Sequence, residues 1–571
     1  MKKLMLGNAA IARGAYEAGV TFASAYPGTP STEITEEISK YDGIYSEWST
    51  NEKVAFETAI GASIAGARAL VSMKHVGLNV AADPLFTFAY TGVNGGFVAV
   101  VADDPGMHSS QNEQDSRLYA ESAHIPMLEP SDSQEAKDYT MLAYKLSEQY
   151  EIPILIRTTT RLAHSQTFVS LNDRIERENK PYSKDIAKYV MMPANARIRH
   201  IVLEDKLNRI SADCNKLPIN KAIMKSDKLG IVCSGVIYQY VQEALPEASI
   251  FKLGMVYPLP IEAIREFAAK VDELIVIEEL EGFIETQLKA NGIKCRGKEI
   301  FGYQGEISVP IIRNKFFGAK IPTADRSIPA RPPVLCAGCP HRGIFYVLSK
   351  LKLTVSADIG CYTLGALAPL SAVDTVLCMG ASIGIAHGFD KVGRGKDVVA
   401  VIGDSTFLHS GITGLINSVY NKSKGTLIIL DNSTTGMTGH QDHPGTGKTI
   451  TGEQTVQLDL VKLVEACGVK RVKVVNSYDL PAVEERIKEE LEADGMSVII
   501  ARMPCRLLSK GKPRTYKIDD KCLKCGLCMK IGCPAISRTP DKGMMIDSSI
   551  CVGCGLCAKL CRAEAISEDR L

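Results

Sequence analysis

Eight of the 17 cysteines fall within 40 residues near the C-terminus. They read Cys522-x2-Cys525-x2-Cys528-x4-Cys533-Pro534 and, 29 residues on from the first cysteine, Cys551-x2-Cys554-x2-Cys557-x3-Cys561. A C-x2-C-x2-C loop wraps three thiolates round one cubane iron–sulfur cluster, while the more distant fourth cysteine serves the neighbouring cluster. On that pattern Cys522, Cys525, Cys528 and Cys561 hold one 4Fe–4S cluster, and Cys551, Cys554, Cys557 and Cys533 hold the other. Structural zinc also uses paired C-x2-C spacings, but two triplets and a Cys-Pro favour cubanes. The repeat departs from the usual pattern twice. Four residues separate Cys528 from Cys533, an excess that a bulge absorbs, and Arg562 stands where a proline often follows the last cysteine. A module this small needs its clusters as a core. Such a chain moves electrons.

At 571 residues the chain has room for about three to five domains. Its 45% hydrophobic content and mean hydropathy near zero describe a globular protein. A net charge of +1 supplies no electrostatic reason to bind nucleic acid or an anionic membrane. No run of about 18 apolar residues suggests a membrane span, and Asn8, Arg13 and Glu17 interrupt any signal-peptide core. So many cysteines without a secretory signal point to metal or redox use in a reducing, anaerobic cytoplasm.

Helical stretches (GNAAIARGAYEAG, ETAIGASIAGARA) alternate with buried-strand runs (ARALVSM, GGFVAVVA, IPILIRT) over residues 1–170, which predicts a parallel α/β sheet. The polar stretch 171–225 reads as a connector. A smaller α/β domain is expected over 226–320, a Pro-rich linker at TADRSIPARPPV, and a third α/β block over 331–508. Residues 509–520 then tether the cysteine module, 515–571.

Two strand ends in the third block carry oxygen donors. Gly403-Asp404-Ser405 follows DVVAVI, and Asp431-Asn432-Ser433-Thr434 ends GTLIIL. Side-chain oxygens of Asp404 and Asn432 with the Thr434 carbonyl fit a magnesium–diphosphate clamp, since magnesium shares hard oxygens with phosphates and water. The crevice beyond adjacent parallel strands is where such ligands bind; two ordinary strand-end turns are the alternative. The same block contains Cys336-Ala-Gly-Cys339, Cys361 and Cys505, for which zinc, a redox dithiol or buried spectators are open readings.

The segments GDS…DN and TGMTG resemble the thiamine diphosphate motif of the 2-oxoacid:ferredoxin oxidoreductases. That resemblance implies two thiamine-diphosphate-binding-type doubly wound domains, pyrimidine-binding over 1–170 and diphosphate-binding over 331–508. It also implies a transketolase-C-terminal-like α/β domain over 226–320 and an α+β two-cluster ferredoxin module. It assigns thiamine diphosphate and magnesium to Gly403, Asp404, Ser405, Asn432 and Thr434, and a third 4Fe–4S cluster near thiamine to Cys336, Cys339, Cys361 and Cys505. The remaining Cys214, Cys233, Cys295, Cys378 and Cys467 read as buried small hydrophobes. A thiamine enzyme needs one carboxylate against N1′ of the aminopyrimidine. The segment SEWSTNEKVAFETAIGASIAGARA resembles the family's, with Glu52 at that position and Glu47 and Glu57 as competitors. AYPGTPSTEI resembles the family's YPITPS loop, which assigns Thr29 to the substrate; Gly28 stands for a bulkier residue and opens room for a larger substrate. Arg117 matches an arginine that pairs with the substrate carboxylate. His75, His108, His341 and His440 lie near these segments and read as structural.

Domain order, with LCAGCPHRG and YPGTPSTE, most resembles the large subunit of the family's indolepyruvate branch. The activity implied is oxidative decarboxylation of aryl 2-oxoacids (indole-3-pyruvate, phenylpyruvate-type acids) with coenzyme A and ferredoxin. Pyruvate, 2-oxoglutarate or branched-chain specificity is the alternative, then a non-oxidative thiamine decarboxylase or an electron-carrier subunit. The family's gamma-type domain is missing, so a small beta subunit of about 200 residues, the size of one or two domains, is the expected partner in a heterotetramer with two copies of each.

Overall fold

The computed structural model describes residues 1–323, 327–328, 332–509 and 514–569. Parts of the expected linker (324–326, 329–331) and tether (510–513) lie outside the described residues. The chain forms two compact units, Met1–Asp325 and Arg326–Leu571.

The first unit is organised by a seven-stranded sheet in the order Met255–Tyr257, Met127–Leu128, Ile154–Thr159, Phe97–Asp103, Ala69–Lys74, Phe22–Ala25, Tyr45–Trp48. All pairs are parallel except the first. Phe97–Asp103 (FVAVVAD) is buried along its whole length, as a near-continuous apolar run covered on both faces must be. Helix Glu52–Ile64 starts where the Asn51 side chain accepts a hydrogen bond from the Val54 N–H, a normal N-cap. Strand direction brings the residues following Ala25, Trp48, Lys74 and Asp103 to one carboxyl edge.

The smaller sheet runs Glu273–Ile277, Leu229–Ser234, Ser249–Leu253, Lys221–Ile223, with only the last pair antiparallel. Two of its neighbours in sequence escape the expected boundaries. Met255–Tyr257 adds to the large sheet, and Lys221–Ile223 comes from the stretch read as connector. That stretch also contains helix Pro193–Cys214, which buries Leu203, Ile210 and Cys214. Its apolar positions are sparse, so the helical period is hard to see in the sequence.

The second unit centres on a fully parallel five-stranded sheet in the order Thr354–Ala357, Val398–Gly403, Gly425–Asp431, Met496–Arg502, Arg471–Asn476. The cysteine module contributes two small antiparallel pairs, Thr515–Ile518 with Ile566–Asp569 and Ile536–Arg538 with Met544–Ile546. It is docked rather than dangling. Ile531, Ile536, Leu556 and Leu560 share one buried cluster with Phe345, Tyr362 and Leu370 of the sheet domain. Among the described residues no helix is long and apolar enough to cross a membrane.

Candidate active site and cluster sites

Asp404 opens a short helix immediately after strand Val398–Gly403 and is 2% exposed. A Cβ on Gly403 would lie 2.6 Å from the Tyr362 ring, so only glycine lets the strand end pass. Across the adjacent strand end, the Asn432 side-chain oxygen lies 2.8 Å from the Thr434 carbonyl oxygen and 3.2 Å from Asp404 Oδ1. The two ends of the Asn432 amide are interchangeable by a half-turn: with nitrogen at this position it donates to both oxygens, and with oxygen there it joins Asp404 and the Thr434 carbonyl in a set of three hard donors that fits a divalent ion. Around them, the Ser433 N–H donates to Asp404 Oδ2 at 2.8 Å, and the Ser405 N–H to Oδ1 at 2.9 Å. Sequence reasoning missed His443. Its Nδ1 accepts from the Gly445 N–H, which leaves the ring proton on Nε2, 3.3 Å from Asp404 Oδ2. Its only signal was a polar GHQDHPG turn after the strand.

The Cys336, Cys339, Cys361 and Cys505 set lies against this cage. The Cys505 N–H donates to the Asn432 carbonyl at 2.8 Å, and Cys361 Sγ comes within 3.5 Å of where a Cβ on Gly436 would sit. Burial pushes the Cys339 thiol up to about 12 and the Cys361 thiol up to about 11, each reinforced by neighbouring cysteines of the set. Cys339 is buried, Cys361 and Cys505 are half-buried and Cys336 is exposed, and neighbouring thiols of this kind resist becoming thiolates together unless a cationic cluster compensates them. His341 is wholly buried beside Asn432 Nδ2 (3.4 Å), and burial pushes its pKa down to about 4, so the ring is neutral. It is packed structure, as the sequence reading expected of it.

In the terminal module, Cys522, Cys525, Cys528 and Cys561 line one cavity of about 380 Å³. Burial raises the Cys557 thiol to about 12, with Cys554, Cys533 and Cys551 adding to the shift. The structure thus groups Cys561 with the first triplet and Cys533 with the second. Arg342, also missed, links the module to the proximal cysteines. Its guanidinium is 2% exposed and donates to the carbonyls of Cys336 (2.8 Å), Ile531 (3.1 Å), Gly532 and Leu335. Gly338, at φ +65°, lets the Cys336–Cys339 loop meet the module: a Cβ there would fall 2.3 Å from Val552 Cγ2 and 3.5 Å from Cys554 Cβ. Of the five cysteines outside these sets, Cys214 and Cys233 are buried, but Cys378 is exposed, contrary to the expectation for it.

In the first unit, Glu52 is the first residue of its helix and 4% exposed, packed so closely that a Cβ on Gly77 would lie 2.7 Å from its Cγ. Glu47 bonds the Tyr45 and Ser49 hydroxyls instead, and Glu57 pairs with Lys53 on the surface. Thr29 is half-buried at the same carboxyl edge, where its carbonyl accepts from Ser109 Oγ at 3.2 Å. The space beside Gly28 is occupied by the Lys74 stem, whose Cγ and Cδ lie 3.4 Å from where a Cβ would be. It is therefore not room for a substrate.

Arg117 is where the structure departs most from expectation. It is 1% exposed, and its donors are taken by Asp115 (2.6 and 2.9 Å), Glu278 (2.7 Å) and the Glu279 and Glu281 carbonyls. Arg157 extends the network to Asp103 and Glu129, and Glu129 accepts from Ser234 of the smaller sheet. Arg117 therefore fastens two sheets together, enclosed by carboxylates and 1% exposed, out of reach of a substrate carboxylate.

The comparisons agree with this layout. Residues 13–208 match the pyruvate flavodoxin/ferredoxin oxidoreductase thiamine-diphosphate-binding family, and 224–316 the indolepyruvate oxidoreductase domain. Residues 358–501 match the C-terminal TPP-binding domain of thiamine pyrophosphate enzymes, and 544–567 the 4Fe-4S binding domain. Indolepyruvate oxidoreductase subunit IorA of Archaeoglobus fulgidus is 43% identical, covering 100% of this chain and 98% of its own. The subunit of the same name from Thermococcus kodakarensis is 41% identical over 98% of this chain and 96% of its own. A 2-oxoglutarate synthase subunit KorA from Methanocaldococcus jannaschii is 32% identical over 33% of this chain and 54% of its own. Matched along its whole length, with thiamine-diphosphate-binding domains and a 4Fe–4S module in the same order, this chain belongs to the indolepyruvate oxidoreductase subunit IorA family of oxidoreductases.

Proposed function

We propose that the chain is the catalytic subunit of an oxidoreductase that converts an aryl 2-oxoacid, indole-3-pyruvate or a phenylpyruvate-type acid, and coenzyme A to the arylacetyl-CoA and CO2. The balance is one 2-oxoacid anion and one thiol giving thioester, CO2, one proton and two electrons, which ferredoxin accepts. A small partner subunit completes the enzyme. The observation that carries this reading is the direct contact of the oxygen cage with the proximal cysteines through Asn432 and Cys505. A non-oxidative decarboxylase has no use for electron acceptors at that spot.

Asp404, Asn432 and the Thr434 carbonyl would hold magnesium and, through it, the diphosphate. Bound thiamine diphosphate supplies the carbanion chemistry that releases CO2 from a 2-oxoacid. Glu52 offers a buried carboxylate to hydrogen-bond the cofactor's pyrimidine ring, in space that the absent side chain of Gly77 leaves for it. Cys336, Cys339, Cys361 and Cys505 would hold the cluster nearest the cage. The Cys533, Cys551, Cys554 and Cys557 set, which the Gly338–Cys554 approach makes its neighbour, would hold the next cluster, and the Cys522, Cys525, Cys528 and Cys561 set the last one, which would supply the outlet for electrons. Arg342 keeps the first two sets in register.

The test is viologen reduction by anaerobically purified enzyme, with the partner subunit and coenzyme A, on indolepyruvate, phenylpyruvate, pyruvate and 2-oxoglutarate. Preference for the aryl acids is expected. Reduction with pyruvate alone overturns the substrate assignment, and CO2 release without reduction overturns the oxidative reaction.

A further inference from the structure

Lys74 ends the strand between Phe22–Ala25 and Phe97–Asp103, at the carboxyl edge that also presents Thr29 and Glu52. Its ammonium donates to the Ser109 carbonyl at 3.0 Å, which among the described residues is its one hydrogen-bond partner. An ammonium has three protons to donate, so two remain. The nearby Asp104 carboxylate is already engaged, by the Ser109 N–H (2.8 Å), Ser110 Oγ (2.7 Å) and Thr160 Oγ1 (2.6 Å). Asp104 and Glu52 act on Lys74 at longer range, and burial, the larger influence, lowers the lysine's pKa. The site therefore contains a half-buried cation that, among the described residues, has two donors without a protein acceptor and no carboxylate in ion-pair contact.

The lysine stem lies along Gly28, with its Cγ and Cδ 3.4 Å from where a Cβ would sit, so a side chain larger than a methyl group there would displace it. The guanidinium groups of Arg117 and Arg157 cannot compete for an incoming anion, since both are walled in by carboxylates. We propose that Lys74, its stem lying along Gly28, binds the carboxylate of the 2-oxoacid substrate. This rests on the 2-oxoacid reading above. A substrate carboxylate would complete the hydrogen bonding of the ammonium and supply its missing counter-charge. A lysine also meets a carboxylate as a point charge rather than a planar fork, so the acid is free to pivot as its C–C bond breaks.

The test uses the complete anaerobic enzyme with its partner subunit, saturating coenzyme A and varied indolepyruvate or phenylpyruvate. Lys74→Met should raise KM by about tenfold or more, while kcat stays within about threefold, the pattern of lost uniform binding. Lys74→Arg should recover part of the loss. Gly28→Ile, which drives the lysine stem aside, should raise KM in the same way. Thiamine and iron contents should not change in any of these. A Lys74→Met enzyme with KM within about twofold of wild type overturns the proposal, as does one that loses thiamine diphosphate, which would make Lys74 a cofactor support. Wild-type enzyme that turns over no 2-oxoacid instead brings down the parent reading.

Discussion

Arg117 in the first unit and Arg342 in the second are both almost inaccessible guanidiniums, yet their surroundings are opposite. Arg117 is ringed by formal negative charge, from Asp115 and Glu278 directly and from Glu129 at longer range. Arg342 donates only to backbone carbonyls, and its nearby ionisable groups are Cys533, Cys339, Cys336 and Cys554. The first is a finished ion-pair network. The second gains its counter-charge when those cysteines become cluster thiolates. One arginine therefore holds its region together at all times, while the other couples folding of its region to cluster assembly.

Removing the cation from the finished network should have the largest effect. Arg117→Met leaves Asp115 and Glu278 buried and unpaired and should cost about 3–5 kcal/mol of stability, read as a lower unfolding midpoint. KM for the 2-oxoacid in the surviving protein should not change; a selective rise in KM would return Arg117 to the substrate.

The carboxylates of that network also predict a pH dependence. Burial raises Glu279 from the usual 4.5 to about 7. Because the folded value lies above the unfolded one, its contribution is fully present below pH 4.5 and is lost as pH rises through about 7. At ~1.4 kcal/mol per unit this is about 3 kcal/mol. Glu279→Gln should therefore gain on wild type in denaturation midpoint between pH 5 and pH 7.5, and a constant gap would refute the shift.

In the second region, Arg342→Leu strands the carbonyls of Leu335, Cys336, Ile531 and Gly532 and should cost about 2–3 kcal/mol. Its sharper signature is loss of iron from the proximal set, measured as iron per chain. Full iron retention would show that the cysteines need no such brace. The smallest effect is expected from Gly338→Ala. A left-handed φ and the clash with Val552 together cost about 1–2 kcal/mol. Slower passage of electrons from the proximal set to the terminal ones, seen by rapid-mixing spectroscopy, should accompany it.

Much of this molecule was legible in the chain. Strands such as FVAVVAD and VVAVIG are continuous apolar runs, and short-range spacing marked the cysteine triplets and the oxygen donors at two strand ends. The helix Pro193–Cys214 was not legible, because it buries only a narrow line of side chains. Nor was the docking of the cysteine module, whose apolar residues are too few to signal a shared core. Arg117 shows the limit most clearly. Its local segment matched a substrate arginine, but its partner Glu278 lies 161 residues away.

What the amino-acid order determined was chemistry of short range: which donors sit together on a loop, and which strands end in them. Packing decided which charged side chains are occupied and which are available. Burial makes that distinction, since a guanidinium enclosed by carboxylates and a lysine left with one carbonyl differ only in neighbours brought from distant parts of the chain.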